Sequence, residues 1–254
     1  MAEEETPSGG RRSLARMLGI GLVASVLGVA LGLAIDWFPV QASTQAGTID
    51  TLYDVLIAVS VPIFILVTVV VLYCVWRFRA RPGQEQEDGA PIHGDTRLEV
   101  IWTALPAVLL IALCTYAFVA LDDIENARAD EERIRVTAQQ FAWSFEYPNP
   151  RGGAPIRANQ LYLVEGKPVR LDLRAVDVIH SFWVPAFRMK RDAVPGLITQ
   201  LRITPNRRGS YPVVCAELCG LGHAYMRATV NVVSAQEFDA WRAQQAQGPQ
   251  EMGG

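Results

Sequence analysis

Near its C-terminus the chain reads Cys215-Ala-Glu217-Leu-Cys219-Gly-Leu-Gly-His223-Ala-Tyr-Met226, with two thiols, an imidazole and a thioether in a dozen residues. A second imidazole stands upstream in Val178-Ile-His180-Ser-Phe-Trp. Soft sulfur combined with imidazole selects copper or zinc over magnesium, calcium or manganese. The sequence holds 3 His and 4 Cys, and two of each fall in these two segments. Several chemistries compete for them. A disulfide suits an extracytoplasmic domain but leaves the His and Met positions without a purpose. Structural zinc accepts the loose Cys and His spacing but has no use for a thioether. A mononuclear blue-copper site takes two His, one Cys and a weak axial Met, so it leaves one thiol over. Two thiolates bridging a pair of copper ions, with two imidazoles, a weak Met and the Glu217 carbonyl, suit the whole set.

These residues need elements to carry them, and the apolar half of the chain falls into blocks. Val55 to Trp76 runs without a charge, and so does Val100 to Leu121. About 20 such residues cross a bilayer. Pro62 and Pro106 lie inside the two runs, where membrane helices tolerate proline because neighbours satisfy the freed carbonyl. Between them Arg77, Arg79 and Arg81 precede a Gly/Gln/Glu-rich stretch that reads as a mobile loop. Positive charge stays on the cytoplasmic side, so the hairpin tip lies inside and everything after Leu121 outside. An earlier apolar run, Met17 to Ile35, follows Arg11, Arg12 and Arg16 and carries Gly21, Gly28 and Gly32. It is a signal sequence with a small-residue cleavage site around Val40-Gln-Ala42, or an uncleaved third helix; both leave the orientation unchanged.

From about Arg133 the texture becomes short alternating runs, among them Phe141 to Tyr147, Val169 to Ala175, Gly196 to Ile203 and Met226 to Val232. Period two between Gly and Pro punctuation predicts half-buried strands in a sandwich or barrel. Ser234-Ala-Gln-Glu237 predicts a capping box opening a short helix through Phe238 and Trp241. The domain boundaries then fall at residues 1–46 for the signal or extra helix, 47–125 for the membrane hairpin, 126–245 for the external β domain and 246–254 for a disordered tail.

Taken together these segments resemble subunit II of the haem-copper cytochrome c oxidases, whose copper A pattern is His, then Cys-x-Glu-x-Cys-x-x-x-His-x-x-Met. Every position is filled here. Glu99-Val-Ile-Trp102-Thr-Ala-Leu-Pro106, Asp177-Val-Ile-His180-Ser-Phe-Trp-Val-Pro185 and Lys190-Arg-Asp192-Ala-Val-Pro195-Gly match further family signatures, so the likeness covers about Leu52 to Trp241. The resemblance implies a cupredoxin-like Greek-key barrel behind the transmembrane helices. It implies that Cys215 and Cys219 bridge two coppers, with His180, His223, Met226 and the Glu217 carbonyl completing the ligands. The Glu217 carboxylate would face an interfacial magnesium shared with subunit I, and Glu99 would stand at the mouth of a proton-uptake route; a solvated loop acid and a helix-dipole partner are the plainer roles.

The implied function is electron transfer from cytochrome c to the haem and copper site of subunit I, where oxygen is reduced to water with proton pumping. The implied partners are subunit I, other oxidase subunits, cytochrome c and the lipid bilayer, with no nucleic acid. The implied location is the cell membrane, crossed more than once, with the copper domain on the periplasmic side. A copper-binding or copper-delivery membrane protein without redox turnover is the rival. A nitrous oxide reductase fits poorly because its copper domain rides on a soluble propeller, and the quinol oxidase branch has lost the ligands. From Asp122 onward there are 15 Asp and Glu against 16 Lys and Arg, so a basic donor would have to be steered by local acids such as Asp122, Asp123, Glu125, Asp130, Glu131 and Glu132. The chain departs from the family at Gln140-Phe141-Ala-Trp143, where Phe141 replaces the exposed tryptophan that receives the electron. Electron entry then falls to Phe141 and Trp143, with Phe141 a docking contact and Trp143 more of a core residue; the alternative is that Phe141 is a plain strand residue and entry lies elsewhere, around Tyr225. Cys74 and Cys114 read as inert packing within the membrane runs, His93 as solvated, and Lys190 and Asp192 as loop braces or a surface ion pair.

Overall fold

The computed structural model describes residues 7–79, 83, 91, 93–128 and 130–246. The stretch 84–90, expected to be a mobile loop, and the tail from 247, expected to be disordered, lie outside the described residues. Three long helices come first: α1 (Pro7–Ala34), α2 (Thr44–Phe78) and α3 (Thr96–Glu125). All three are long and apolar enough to cross a membrane. Asp95 caps α3, its Oδ1 accepting from Arg97 N (2.9 Å) and Leu98 N (3.3 Å). The described residues of Met1–Trp37 and Thr51–Tyr116 form one compact unit, and those of Phe38–Asp50 and Ala117–Gly254 a second. Cys74 and Cys114, expected to be packed, are instead exposed on their helices. A long apolar run has enough hydrophobic residues to cover its outer face too, so burial within the protein does not follow from apolar surroundings.

The second unit holds ten strands among the described residues: β1 (Glu132–Gln139), β2 (Ala142–Tyr147), β3 (Ile156–Ala158), β4 (Leu161–Val164), β5 (Val169–Ala175), β6 (His180–Val184), β7 (Met189–Ala193), β8 (Thr199–Ile203), β9 (Gly209–Cys215) and β10 (Arg227–Val233), with α4 (Ala235–Gln245) last. They form two five-stranded sheets in the orders β3-β2-β1-β5-β8 and β4-β10-β9-β6-β7. Most pairs are antiparallel, but β1 runs parallel to β5 and β10 to β4. The alternate residues Val136, Leu171, Leu173 and Leu201 of one sheet meet Leu161, Phe182, Val213 and Val230 of the other in one buried cluster. This is the cupredoxin-like β domain. Its chain order brings the ends of β6 and β9 side by side, with Phe182 opposite Cys215.

Residues 38–50 belong to this β unit. Ala42 is 0% exposed and joins the core. Its N–H donates to Ala186 O (2.9 Å), its carbonyl accepts from Asn206 N (3.1 Å), and Thr44 N donates to Thr204 O (2.9 Å).

Candidate metal centre

His180 opens β6 and is wholly buried, while Cys215 closes β9. Beyond β9 the chain makes the loop that carries Glu217 and Cys219, then a single 3-10 turn, His223–Tyr225, after which Met226 leads into β10. The two thiols are free, with Cys215 Sγ 3.9 Å from Cys219 Sγ. That is well beyond the ~2.05 Å of a disulfide. Around Cys215 Sγ lie His180 Nδ1 at 3.9 Å and the Glu217 carbonyl, which accepts from the thiol at 3.2 Å. Around Cys219 Sγ lie His223 Nδ1 at 3.6 Å and Met226 Sδ at 3.9 Å. The metal-binding atoms of His180, Cys215 and Cys219 all lie within 4.8 Å of one another.

The donor set fits a soft metal. A metal–thiolate bond of about 2.3 Å lets one ion touch both sulfurs where they stand. A single tetrahedral ion uses four donors, and six converge here. Burial, with the neighbouring Cys215 adding to it, pushes the Cys219 thiol up to about 11. His180 Nε2 donates to Asp177 Oδ1 (2.9 Å), which leaves Nδ1 with its lone pair toward the sulfurs. That is the usual way a carboxylate fixes the tautomer of a ligating histidine. Burial opposes ionisation of Asp177, but hydrogen bonds from His180 and from the backbone of Gln140 and Val178 outweigh it and hold the carboxyl below its ordinary range.

The hairpin between β1 and β2 clamps this loop. Gln140 N donates to Asp177 Oδ2 (2.7 Å), and Gln140 Nε2 to Cys219 O (2.6 Å). The Phe141 ring lies on Gly222, where a Cβ would stand 2.6 Å from Phe141 Cγ. Phe141 is 38% exposed and Trp143 only 3%. Trp143 packs edge-on against His180 (6.2 Å between centroids) and Phe182 (5.4 Å). Sequence reasoning passed over Gln140, which carries no metal-binding signal of its own. Asp177, three residues before His180 in a loop, was the better clue.

Two family models match the chain: "Cytochrome C oxidase subunit II, periplasmic domain" over residues 154–233 and "Cytochrome C oxidase subunit II, transmembrane domain" over residues 29–120. A cytochrome c oxidase subunit 2 of Thermostichus vulcanus is 32% identical, covering 89% of this chain and 84% of its own. One of Synechocystis sp. is 31% identical, covering 91% and 82%. The chain belongs to the cytochrome c oxidase subunit II family. A solved periplasmic domain of subunit II of cytochrome oxidase from Bradyrhizobium japonicum is 28% identical, covering 48% of this chain and 97% of that one, with a TM-score of 0.44.

In this subunit II chain the other singled-out residues separate from the centre. Glu99 sits exposed in the first turn of α3, and His93 is exposed before it. The Glu217 side chain is exposed while its carbonyl faces Cys215. Lys190 and Asp192 are exposed on β7 and form no ion pair with each other; between them Arg191 pairs with Glu125. Half of the acidic cluster expected to steer a donor is paired internally, while Asp122, Asp123 and Asp130 are exposed. Glu131 pairs with Arg202 (3.1 Å) and Glu132 with Lys167 (2.8 Å) and Arg242, besides the Glu125 pair. The surface over the thiols is apolar instead, with Leu218, Leu221 and Tyr225 exposed beside Phe141.

Proposed function

We propose that this subunit accepts electrons from cytochrome c at a dinuclear copper A centre and hands them to the haem and copper site of subunit I, where oxygen becomes water with proton pumping. The convergence of six donor atoms, two of them thiol sulfurs 3.9 Å apart, carries this reading. Cys215 and Cys219 would bridge the ions, with His180, His223, Met226 and the Glu217 carbonyl as the remaining ligands. When bound, such a pair supplies a one-electron carrier whose charge is spread over two ions.

The chain's own residues do the rest. Asp177 holds the His180 ring in its ligating orientation, and Gln140 pins the Cys219 carbonyl. The buried Trp143, Phe182 and Met226 keep water from the inner side. On the outer side Phe141, Leu221 and Tyr225 offer the donor an apolar contact, and the exposed Asp122, Asp123 and Asp130 supply what long-range attraction the cluster retains. The exposed Glu217 carboxylate would face magnesium at the contact with subunit I. Glu99 would open a proton-uptake route, with the bilayer spanned by the apolar helices of a plasma-membrane oxidase.

Metal analysis and electron paramagnetic resonance of the full chain in detergent test this reading. Two coppers per chain sharing one unpaired electron are expected, and Cys215→Ser abolishes that signal. One metal per chain, or zinc alone retained from copper-replete growth, refutes the centre. Two coppers without reduction by any cytochrome c would favour copper delivery.

A further inference from the structure

We propose that the groove between α1 and α2, at the ends that carry Arg12 and Trp76, binds an anionic phospholipid of the cytoplasmic leaflet. The two helices touch at Gly28 and Gly32, where a Cβ would stand 2.8 Å from Val61 Cγ1 and from Ile57 Cγ2. Towards the start of α1 they part around a cavity of about 470 Å³. That is within the size range of ordinary small-molecule sites.

The lining is divided by chemistry. Arg12, Ser13 and Arg16 form the polar side, the two arginines one helical turn apart and therefore on one face. Among the described residues no acid lines the groove, and neither guanidinium has an acidic partner. Below them Met17, Ile20 and Val69 are apolar, and Tyr73 and Trp76 stand at the level where amphipathic rings mark a membrane–water boundary. The positive-inside rule puts this end in the cytoplasmic leaflet, the one rich in anionic lipid. Guanidinium forks match phosphate oxygens, and basic pockets between membrane helices on this side hold acidic headgroups. A headgroup phosphate between Arg12 and Arg16 leaves the acyl chains to cover Met17, Ile20 and Val69. Free phosphate would leave that floor bare, so the lipid is the occupant.

The test takes the full chain, delipidated in detergent, and offers phosphatidylglycerol, phosphatidylcholine and inorganic phosphate separately, with bound species counted by native mass spectrometry. The wild type should retain phosphatidylglycerol over phosphatidylcholine. Replacing both Arg12→Gln and Arg16→Gln should weaken phosphatidylglycerol about thirtyfold, from about 1 kcal/mol per charge, while copper content stays unchanged and reports that the variant is folded. Equal retention of the two lipids, an undiminished preference in the folded double variant, or phosphate binding as well as lipid overturns the proposal. The wild-type comparison decides alone if the variant does not fold.

Discussion

At the scale of single residues, Phe141 is the position where this chain parts from its family pattern. A phenyl ring is harder to oxidise than an indole, so in the proposed electron entry it would act as a packed contact and not as a stepping stone. Its half-exposed face meets solvent and the other covers Gly222 of the thiol loop. Phe141→Ala should therefore lower kcat/KM for cytochrome c by about tenfold, the loss of one central interface contact, while the copper spectrum and turnover with small artificial donors persist. Stopped-flow reduction of the purified oxidase reads this directly, and unchanged donor kinetics would move the contact to Leu221 and Tyr225. Gly222→Ala behaves differently, because its Cβ would collide with the Phe141 ring. That variant should disturb the copper spectrum itself. The residues that converge at the candidate centre were legible from type and spacing, and the resemblance to the family assigned them their proposed roles. The clamp by Gln140 was not, because it depends on a hairpin reaching a loop 79 positions away.

At the scale of elements, alternation made some strands legible and left others unmarked. β5 alternates buried and open positions along its whole length, which period two reveals. β6, which carries His180, buries four of its five residues, so no alternation marks it. β9, which delivers Cys215, contains Pro212, a residue that argues against a strand; Pro212 is exposed, paired with Thr229. The short helix α4 was legible from its cap. Ser234 Oγ accepts from Glu237 N (3.2 Å), and Ser234 N donates to Glu237 Oε2 (2.8 Å). Those bonds from the Ser234 side chain and backbone hold the Glu237 carboxyl below its ordinary 4.5. A depressed folded value means the carboxylate's contribution is complete above the unfolded value and fades as pH falls through the folded one. Ser234→Ala should thus destabilise the chain near neutral pH, where the cap is complete. The gap from wild type should narrow below about pH 4, as thermal unfolding by circular dichroism at both pH values would show. A gap independent of pH would mean that the carboxylate takes no part.

At the scale of the whole molecule, the β unit is completed by residues 38–50, which precede it in the chain by some 80 positions. No periodicity announces this, since the segment adds only one isolated bridge, Ser43 to Pro205, to the sheets. Arg188 is the fastening. Its Nε and Nη2 meet the two Asp50 oxygens at 2.7 and 3.0 Å, Nη2 also donates to Pro39 O (2.6 Å), and the guanidinium lies over Phe38 at 4.8 Å. The same residue has a left-handed backbone, φ 64, which favours glycine. Two effects therefore oppose each other in Arg188→Gly. Relief of the backbone returns about 1 kcal/mol, and breaking the ion pair of the half-buried Asp50, which keeps the Gln41 Nε2 donor (2.7 Å), costs about 3 kcal/mol. The net expectation is a loss of about 2 kcal/mol, with residues 38–50 becoming open to protease before the β sheets unfold. Denaturant titration and limited proteolysis of the full chain check both parts. A glycine variant as stable as the wild type, with that segment still protected, would show that the backbone bonds of Ala42 and Thr44 hold it without the arginine.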